Sequence, residues 1–232
     1  MPYGYYYGID VYYIILILPA FVLSLAAQIM VSSTFSKYSK TINMSGLTGA
    51  AAAQRVLYSH GVTNVRIERV SGNLTDHFDP RTNVIRLSDS VYDSTSVAAV
   101  GVAAHEAGHA VQYAQNYAPI KIRNSILPVV NFGSKFSFIA ILLGIVFSFS
   151  PLITVGIILF SFSTVFQVLT LPVELNASKR AMETIRGQYL LSDHEAKGAK
   201  RVLTAAAMTY IAAVIMSIAQ LLRLLLINRN RR

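Results

Sequence analysis

Two histidines and a glutamate stand close together in an otherwise apolar stretch of the chain. His105, Glu106 and His109 lie within "AAVGVAAHEAGHAVQYAQ", residues 98–115, which has no other charged side chain. Residues four apart share one face of an α-helix, so both imidazoles can bind one metal ion while Glu106 reaches a water beside it. The spacing therefore predicts a metal-dependent site on a helix.

The alternative is that the pattern is accidental and lies on an exposed helix face. A pattern of this kind arises by chance in about one chain in a few hundred of this size. Alanines and a glycine at 103, 104, 107, 108 and 110 also predict a smooth helix that other elements can approach closely, as a buried metal site requires. We therefore favour the metal interpretation.

Zinc is the expected ion. The chain contains no cysteine, so its metal ligands must be histidines and carboxylates. Zinc accepts both and activates water near neutral pH. We expect one Zn²⁺ per chain, with Glu106 as the general base that takes a proton from the attacking water and delivers it to the leaving amine.

The composition indicates a membrane protein. Hydrophobic residues make up 53% of the chain and charged residues 13%. Residues 11–31 can form a first transmembrane helix, and 204–222 a last one. A single helix over 136–171 would be about 54 Å long, too long for one span, so we predict a helical hairpin that breaks near Pro151.

The part between the first span and the hairpin is predicted to be a small extramembrane α+β domain. It has a helix through "AAAAQRVLYSH", strands "VRIERV" and "NVIRLS" around a "DPRTN" turn, and the histidine helix from near Val97. We expect "NVIRLS" at a sheet edge, where an extended peptide could add as a strand. Predicted N-caps are Ser45 or Thr48, Ser94 or Ser96, and Ser192, the last in a capping box with Glu195.

The sequence thus divides into five predicted parts. Residues 1–31 hold the first span, 32–128 the extramembrane domain, 129–171 the hairpin, 172–203 a polar helical segment and 204–232 a last membrane helix with a basic tail.

A catalytic site needs a third protein ligand from the same side of the membrane. The hairpin returns the chain to the side it left, and Glu174 is the first carboxylate after that return, in the opening turn of a helix predicted to begin at Pro172. Glu183 is the competing candidate. We favour Glu174 for its position at the exit of the span.

The stretches "VAAHEAGHAVQ", "NLTDHFDPRTNVIRLS", "YAPIKIRNSILPVVNFGS" and "LPVELNASKRA" resemble the YugP-type membrane zinc metallopeptidases over nearly the whole chain. The chain is more distantly similar to the HtpX and CAAX-prenyl-protease group. In that group a glutamate downstream of a span pair completes the zinc site, which by resemblance supports Glu174. An aspartate usually follows four residues later; here that position is Ser178, and Asn176 or Ser178 could take its supporting role.

Two further residues receive alternative interpretations. His77 could stabilise an oxyanion or hydrogen-bond a ligand, or be an exposed residue before a turn. Arg180 could bind a substrate carbonyl or carboxylate, although we favour an anchor at lipid headgroups.

The charge pattern suggests an orientation. Sixteen of the twenty Lys and Arg residues lie between Lys37 and Arg201, and the first ten residues have none. The positive-inside rule then places the site in the cytoplasm, although Arg223, Arg229, Arg231 and Arg232 in the tail oppose this. The net charge of +9 is scattered rather than gathered on one surface, which favours anionic lipid headgroups over nucleic acid.

The predicted fold is an integral membrane protein, mainly α, with about four transmembrane helices and a small α+β zinc-protease domain that carries a gluzincin-like H-E-x-x-H helix. The predicted protein is a zinc endopeptidase that crosses the cell membrane several times. We expect it to cleave membrane-associated proteins or peptides at the cytoplasmic surface. Two alternatives remain: a non-catalytic scaffold with a structural metal, and a site-2-type intramembrane protease. The apolar spans contain no Asp or Glu, which disfavours the latter.

Overall fold

The chain folds mainly as α-helices with one small sheet. The computed structural model describes residues 10–229, so Arg231 and Arg232 of the basic tail lie outside the described residues. A π-helical segment, Tyr13–Ile17, leads into α1, Leu18–Tyr38. The other elements are α2 Gly49–Ser59, β1 Arg66–Val70, β2 His77–Asp79, β3 Val84–Ser88, α3 Val97–Ala114, α4 Ala118–Val146, α5 Ser150–Gly187 and α6 Asp193–Arg229.

Two compact units can be distinguished. Within the described residues, the helical unit comprises 10–28, 122–171 and 209–229, and the sheet unit comprises 29–121 and 172–208. The five-part division drawn from the sequence stays a prediction.

Four helices are long and apolar enough to cross a membrane: Tyr13–Tyr38, Ala118–Val146, Ser150–Gly187 and Asp193–Arg229. At most 22% of the apolar window of each is buried. Side chains such as Phe138 and Phe147 are 69% and 72% exposed. Surfaces of this kind need an apolar solvent, so the protein is a membrane protein with four candidate spans.

The predicted break between α4 and α5 is confirmed. α4 ends at Val146 and α5 begins at Ser150, which places Pro151 in the first turn, where a missing N–H costs nothing. The two helices of this hairpin contact each other closely. A Cβ on Gly156 would lie 3.0 Å from both the Ile141 nitrogen and the Ser137 carbonyl oxygen.

Pro172 does not begin a helix, contrary to the expectation from sequence. It lies inside α5, where it removes the N–H that would bond the Val168 carbonyl. The helix continues because every fourth residue beyond the proline is fully buried, and the packing of this stripe offsets the lost hydrogen bond. The stripe consists of Val173, Ala177, Ala181 and Ile185.

The sheet has the order β1-β3-β2, with β1 parallel and β2 antiparallel to β3. The "DPRTN" turn therefore joins β2 to β3 and not "VRIERV" to "NVIRLS". The Asp79 carboxylate fixes this turn by accepting hydrogen bonds from the Arg81 N–H and the Thr82 hydroxyl, both at 2.9 Å. The expectation that "NVIRLS" is an edge strand is wrong, because β3 pairs on both sides.

The helix that carries the histidines is the centre of the sheet unit. It begins at Val97, and the Ala99 N–H donates to the side chain of the Ser96 N-cap at 3.1 Å. Thirteen of its eighteen residues are buried, so α3 is surrounded by other elements, among them α2, β2 and β3. The predicted caps at Thr48 and Ser192 are also confirmed.

Candidate metal centre

Small residues on α3 let α5 pack directly against the face that carries both histidines. A Cβ on Gly108 would lie 2.6 Å from the Ala177 carbonyl oxygen, a distance that real Cβ contacts do not reach. Only glycine fits there. The side chains of His105 and His109 are consequently 13% and 11% exposed.

The structure brings His105, His109 and Glu174 together. Glu174 Oε2 lies 3.3 Å from His105 Nε2 and 3.4 Å from His109 Nε2. Among the described His, Asp and Glu residues, these three form the group whose ligand atoms all lie within 4.8 Å of one another. The predicted third ligand therefore faces both predicted histidines.

These atoms fit a zinc ion. In a tetrahedron with bonds of about 2.0–2.1 Å, neighbouring ligand atoms lie about 3.3–3.4 Å apart. The two distances from Glu174 Oε2 to the histidine Nε2 atoms have that value. Glu174 Oε2 is buried, and no described residue donates a hydrogen bond to it. A buried carboxylate oxygen without a donor is costly unless it binds a cation.

The local charge also favours a cation. Burial lowers the pKa of His109, but the nearby carboxylates, Glu174 foremost and then Glu106, raise it more, so the pKa lies above its ordinary value. The same negative charge would attract a metal ion, which takes the place of the additional proton at Nε2.

Gln112 fixes the orientation of His109, and sequence reasoning missed it. Its side chain is fully buried, and its amide nitrogen donates to the Val173 carbonyl at 2.7 Å and to Asn176 Oδ1 at 3.0 Å. Gln112 Oε1 is therefore the acceptor facing His109 Nδ1, at 3.1 Å. The proton then sits on Nδ1, and Nε2 turns its lone pair toward Glu174 Oε2. The signal in the sequence is the glutamine three residues after the second histidine.

Ser178 lies within hydrogen-bond distance of His105. Its hydroxyl lies 3.1 Å from His105 Nδ1, at the position where the resemblance leads one to expect an aspartate. A hydroxyl can accept the Nδ1 proton as a carboxylate does, which again leaves Nε2 free for a ligand role.

Asn176 and Arg180 belong to the same hydrogen-bond network but not to the ligand cluster. Asn176 Oδ1 accepts from Gln112 and from Arg180 Nε, the latter at 2.8 Å. The Arg180 guanidinium also donates to Gln115 and lies over the Tyr117 ring. Arg180 thus links α5 to the end of α3.

Glu106 lies next to the cluster and is half-buried. Its negative charge acts on His109. Within residues 10–229, no side chain forms an ion pair or hydrogen bond with its carboxylate. A carboxylate beside a metal site with no structural partner has the freedom that a general base needs.

Two other candidates lie apart from the cluster. His77 is exposed at the start of β2, and its Nδ1 contacts the Thr75 carbonyl oxygen at 2.8 Å. Glu183 is 63% exposed and pairs with Lys179 at 3.7 Å. Glu183 is therefore not brought to the histidines.

The sequence is similar to those of known proteins. The family described as "Putative neutral zinc metallopeptidase" matches residues 13–229. The chain belongs to this zinc metallopeptidase family. A protein of Bacillus subtilis (strain 168) named "Putative membrane protease YugP" is similar to it, with 45% identity over 220 residues, which cover 95% of this chain and 98% of that protein. No solved structure gives a significant match.

Membership in the zinc metallopeptidase family confirms the resemblance stated from the sequence motifs. It also names zinc as the metal of the family. Among the described residues, the group that could hold such an ion is His105, His109 and Glu174.

Proposed function

We propose that the protein is a zinc-dependent endopeptidase that holds one zinc ion through His105, His109 and Glu174. The observation that carries the proposal is that these three ligand atoms lie within 4.8 Å of one another, with Glu174 Oε2 at the spacing of a tetrahedral zinc site from each Nε2 and without a hydrogen-bond donor. Zinc bound there supplies Lewis-acid polarisation of water and of the scissile carbonyl.

Glu106 is the general base in this proposal. It follows His105 directly on α3, and its carboxylate is half-buried. Glu106 accepts a proton as water adds to the peptide carbonyl, and then gives this proton to the amine as the C–N bond breaks. The products are an amine and a carboxylic acid, which passes its remaining proton to the amine or to solvent and leaves as the carboxylate, and the base is regenerated.

Two supporting residues contact the Nδ1 atoms of the histidines. Gln112 accepts from His109 Nδ1, and Ser178 lies within hydrogen-bond distance of His105 Nδ1. Gln112 thus leaves His109 Nε2 without a proton for the ion, and Ser178 does the same for His105 when its hydroxyl accepts from Nδ1.

We place the active site at the cytoplasmic surface of a cell membrane that the chain crosses several times. The four candidate spans and the excess of Lys and Arg between residues 37 and 201 support this orientation. Membrane-associated proteins or peptides are the expected substrates.

The test uses the full-length protein purified in detergent, with zinc measured by elemental analysis and cleavage measured on casein. Glu106→Gln should keep about one zinc per chain and lose cleavage. Glu174→Gln should lose zinc and cleavage together. Glu183→Gln is the matched control on the same helix as Glu174 and should keep both, because its carboxylate is exposed.

Each outcome has a defined meaning. Zinc that persists in Glu174→Gln rejects the third ligand. Cleavage that persists in Glu106→Gln rejects the base. A wild-type protein that binds no zinc after reconstitution would exclude the peptidase and favour a scaffold.

A further inference from the structure

A cationic groove lies between the last turns of α1 and the first turns of α6, where both helices belong to the sheet unit. Its volume is about 630 Å³. Four basic side chains line it: Lys37, Lys197, Lys200 and Arg201. Among the described residues, no Asp or Glu lines this groove, so its charge is uncompensated.

Glu195 is the buried acidic residue nearest in sequence to the basic residues of α6. Its carboxylate already accepts hydrogen bonds from other groups. Its carboxylate accepts from the Ser192 N–H and hydroxyl, both at 2.8 Å, and from the Met44 N–H at 2.7 Å. Glu195 thus caps α6 and does not neutralise the groove.

The lining changes along the groove in three levels. Along α1 the lining residues run from Met30 through Ser33 and Thr34 to Lys37, and along α6 from Lys197, Lys200 and Arg201 through Thr204 to Ala205. Tyr38 contacts α6 at Gly198 and Arg201, so the basic ends of the two helices lie together. Met30 and Lys37 are seven residues apart, about 10 Å along a helix. The order of cation, hydroxyl and apolar side chain matches a phospholipid read from its phosphate toward its acyl chains.

The groove also lies where the uncharged stretches of two candidate spans meet their first charged residues. α1 has no charged residue before Lys37, and α6 has none between Arg201 and Arg223. The charged end is therefore at the boundary of the hydrocarbon core, at the depth of lipid phosphates.

One wall is held in place by contacts of its own. Arg201 donates to the Tyr38 hydroxyl at 3.0 Å, and Lys37 lies 5.6 Å from the centre of the Tyr38 ring. Gly198 lets this ring pack against α6, since a Cβ there would lie 2.7 Å from Tyr38 Cε1. Lys37 and Arg201 thus both contact one fixed aromatic side chain.

We propose that this groove binds the phosphate of one anionic membrane phospholipid, with the lipid glycerol at the hydroxyls and the acyl chains at the apolar end. The site is separate from the proposed metal ligands, and its test does not depend on peptidase activity.

The test is a titration of the detergent-purified full-length protein with dihexanoyl phosphatidylglycerol, with stoichiometry read by native mass spectrometry. One lipid should bind. The variant Lys197→Gln/Lys200→Gln/Arg201→Gln should bind it about a hundredfold more weakly, because each basic residue near a lipid headgroup contributes about fivefold to the affinity and the variant removes three.

Two variants separate the groove from overall charge. Lys40→Gln/Arg55→Gln/Arg81→Gln removes the same number of charges from exposed residues outside the groove and should change the affinity less than about threefold. Thr204→Trp fills the groove without changing the charge and should abolish binding, with circular dichroism to verify that the helices are retained.

Other ligands test the identity of the occupant. Dihexanoyl phosphatidylcholine, inorganic phosphate and a hexaglutamate peptide should each bind much more weakly than phosphatidylglycerol. If phosphatidylcholine binds equally well, the site does not select an anionic lipid and the proposal is wrong. If inorganic phosphate binds equally well, the groove is a site for a soluble anion. If hexaglutamate binds equally well, the groove is a protein-docking site. If both triple variants lose the same lipid affinity, the effect comes from overall charge and the proposed binding site in the groove is wrong.

Discussion

The sheet unit and the helical unit bury different kinds of residue. In the sheet unit, one continuous core of aliphatic side chains and alanines surrounds α3. In the helical unit, the described core cluster consists of Ile17, Ala20 and Ala219, and most large side chains are exposed. The first unit has the interior of a water-soluble domain, and the second has a surface made for lipid.

The difference indicates what stabilises each unit. Burial of apolar surface from water stabilises the sheet unit. Lipid removes that driving force, so the helical unit depends on close backbone contacts and on interhelical hydrogen bonds. Examples are the Ser137 hydroxyl, which donates to the Gly156 carbonyl at 2.8 Å, and the Thr164 and Ser217 hydroxyls, which lie 2.9 Å apart.

The largest predicted effect is at the contact between α3 and α5 in the sheet unit. Gly108→Ala places a Cβ 2.6 Å from the Ala177 carbonyl oxygen, which cannot rotate away as a side chain can. The two helices must separate, so we expect the free energy of unfolding to fall by about 3 kcal/mol and zinc binding to be lost. Denaturant unfolding and zinc content measure the two effects.

Gly101→Ala is the matched control on the same helix. Its Cβ would lie 3.4 Å from the Ala199 Cβ, an ordinary contact. Alanine also favours the helix over glycine by about 1 kcal/mol, so this variant should be as stable as the wild type or more so. Equal damage in both variants would mean that helix packing around the site is not glycine-dependent.

A smaller effect is expected at the matching contact in the helical unit. Gly156→Ala crowds the Ile141 nitrogen and the Ser137 carbonyl at 3.0 Å, and we expect a loss of about 1–2 kcal/mol. Unfolding in mixed detergent and dodecyl sulfate micelles measures it. Val155→Ile, which adds a methylene to a 48% exposed neighbour, should be neutral.

A third variant acts on the metal centre rather than on packing. Gln112→Met keeps the length of the side chain but removes the acceptor for His109 Nδ1 and the donor to Val173. We expect zinc affinity to fall about 10–100-fold, measured by competition with a chelator. Gln54→Met at an exposed position of α2 is the control, and an equal loss there would remove the special role of Gln112.

Local signals predicted much of this structure. The Ser96 cap, the Ser192–Glu195 capping box and the break near Pro151 are short-range features, each decided within a few residues. The spacing of His105 and His109 is of the same kind. Glu174 was placed by a longer argument that counted spans, and the structure brings it to the histidines.

The remaining features depend on contacts distant in sequence. Pro172 stays inside α5 because the following turns bury a stripe against the rest of the sheet unit, which no local signal shows. β2 is only three residues long and is defined by its pairing with β3. Gln112 gains its role from Val173 and Asn176, more than sixty residues away.

The smallest predicted effect is a change of stability with pH, and it is expected in the sheet unit, which contains nearly all of the acidic residues. Of the eleven Asp and Glu residues, the helical unit contains only Asp10. Asp76 in the sheet unit accepts from the Ser88 N–H at 2.8 Å and from its hydroxyl at 3.0 Å. Burial raises the pKa of Asp76 above its ordinary value despite these two hydrogen bonds, which act to lower it.

The sign of the pH effect follows from that direction. A folded-state pKa above the unfolded one means that the Asp76 carboxyl stabilises the fold at low pH, and that this contribution is lost as the pH rises through the folded-state pKa. Asp76→Asn keeps an acceptor for the Ser88 N–H and does not ionise. Its melting temperature relative to the wild type should therefore rise between about pH 3 and pH 7. Ser88→Ala removes the hydroxyl that donates to the carboxylate, so it should raise the Asp76 pKa further and enlarge the change of melting temperature with pH. If the difference in melting temperature from the wild type does not change with pH in either variant, the burial effect is contradicted.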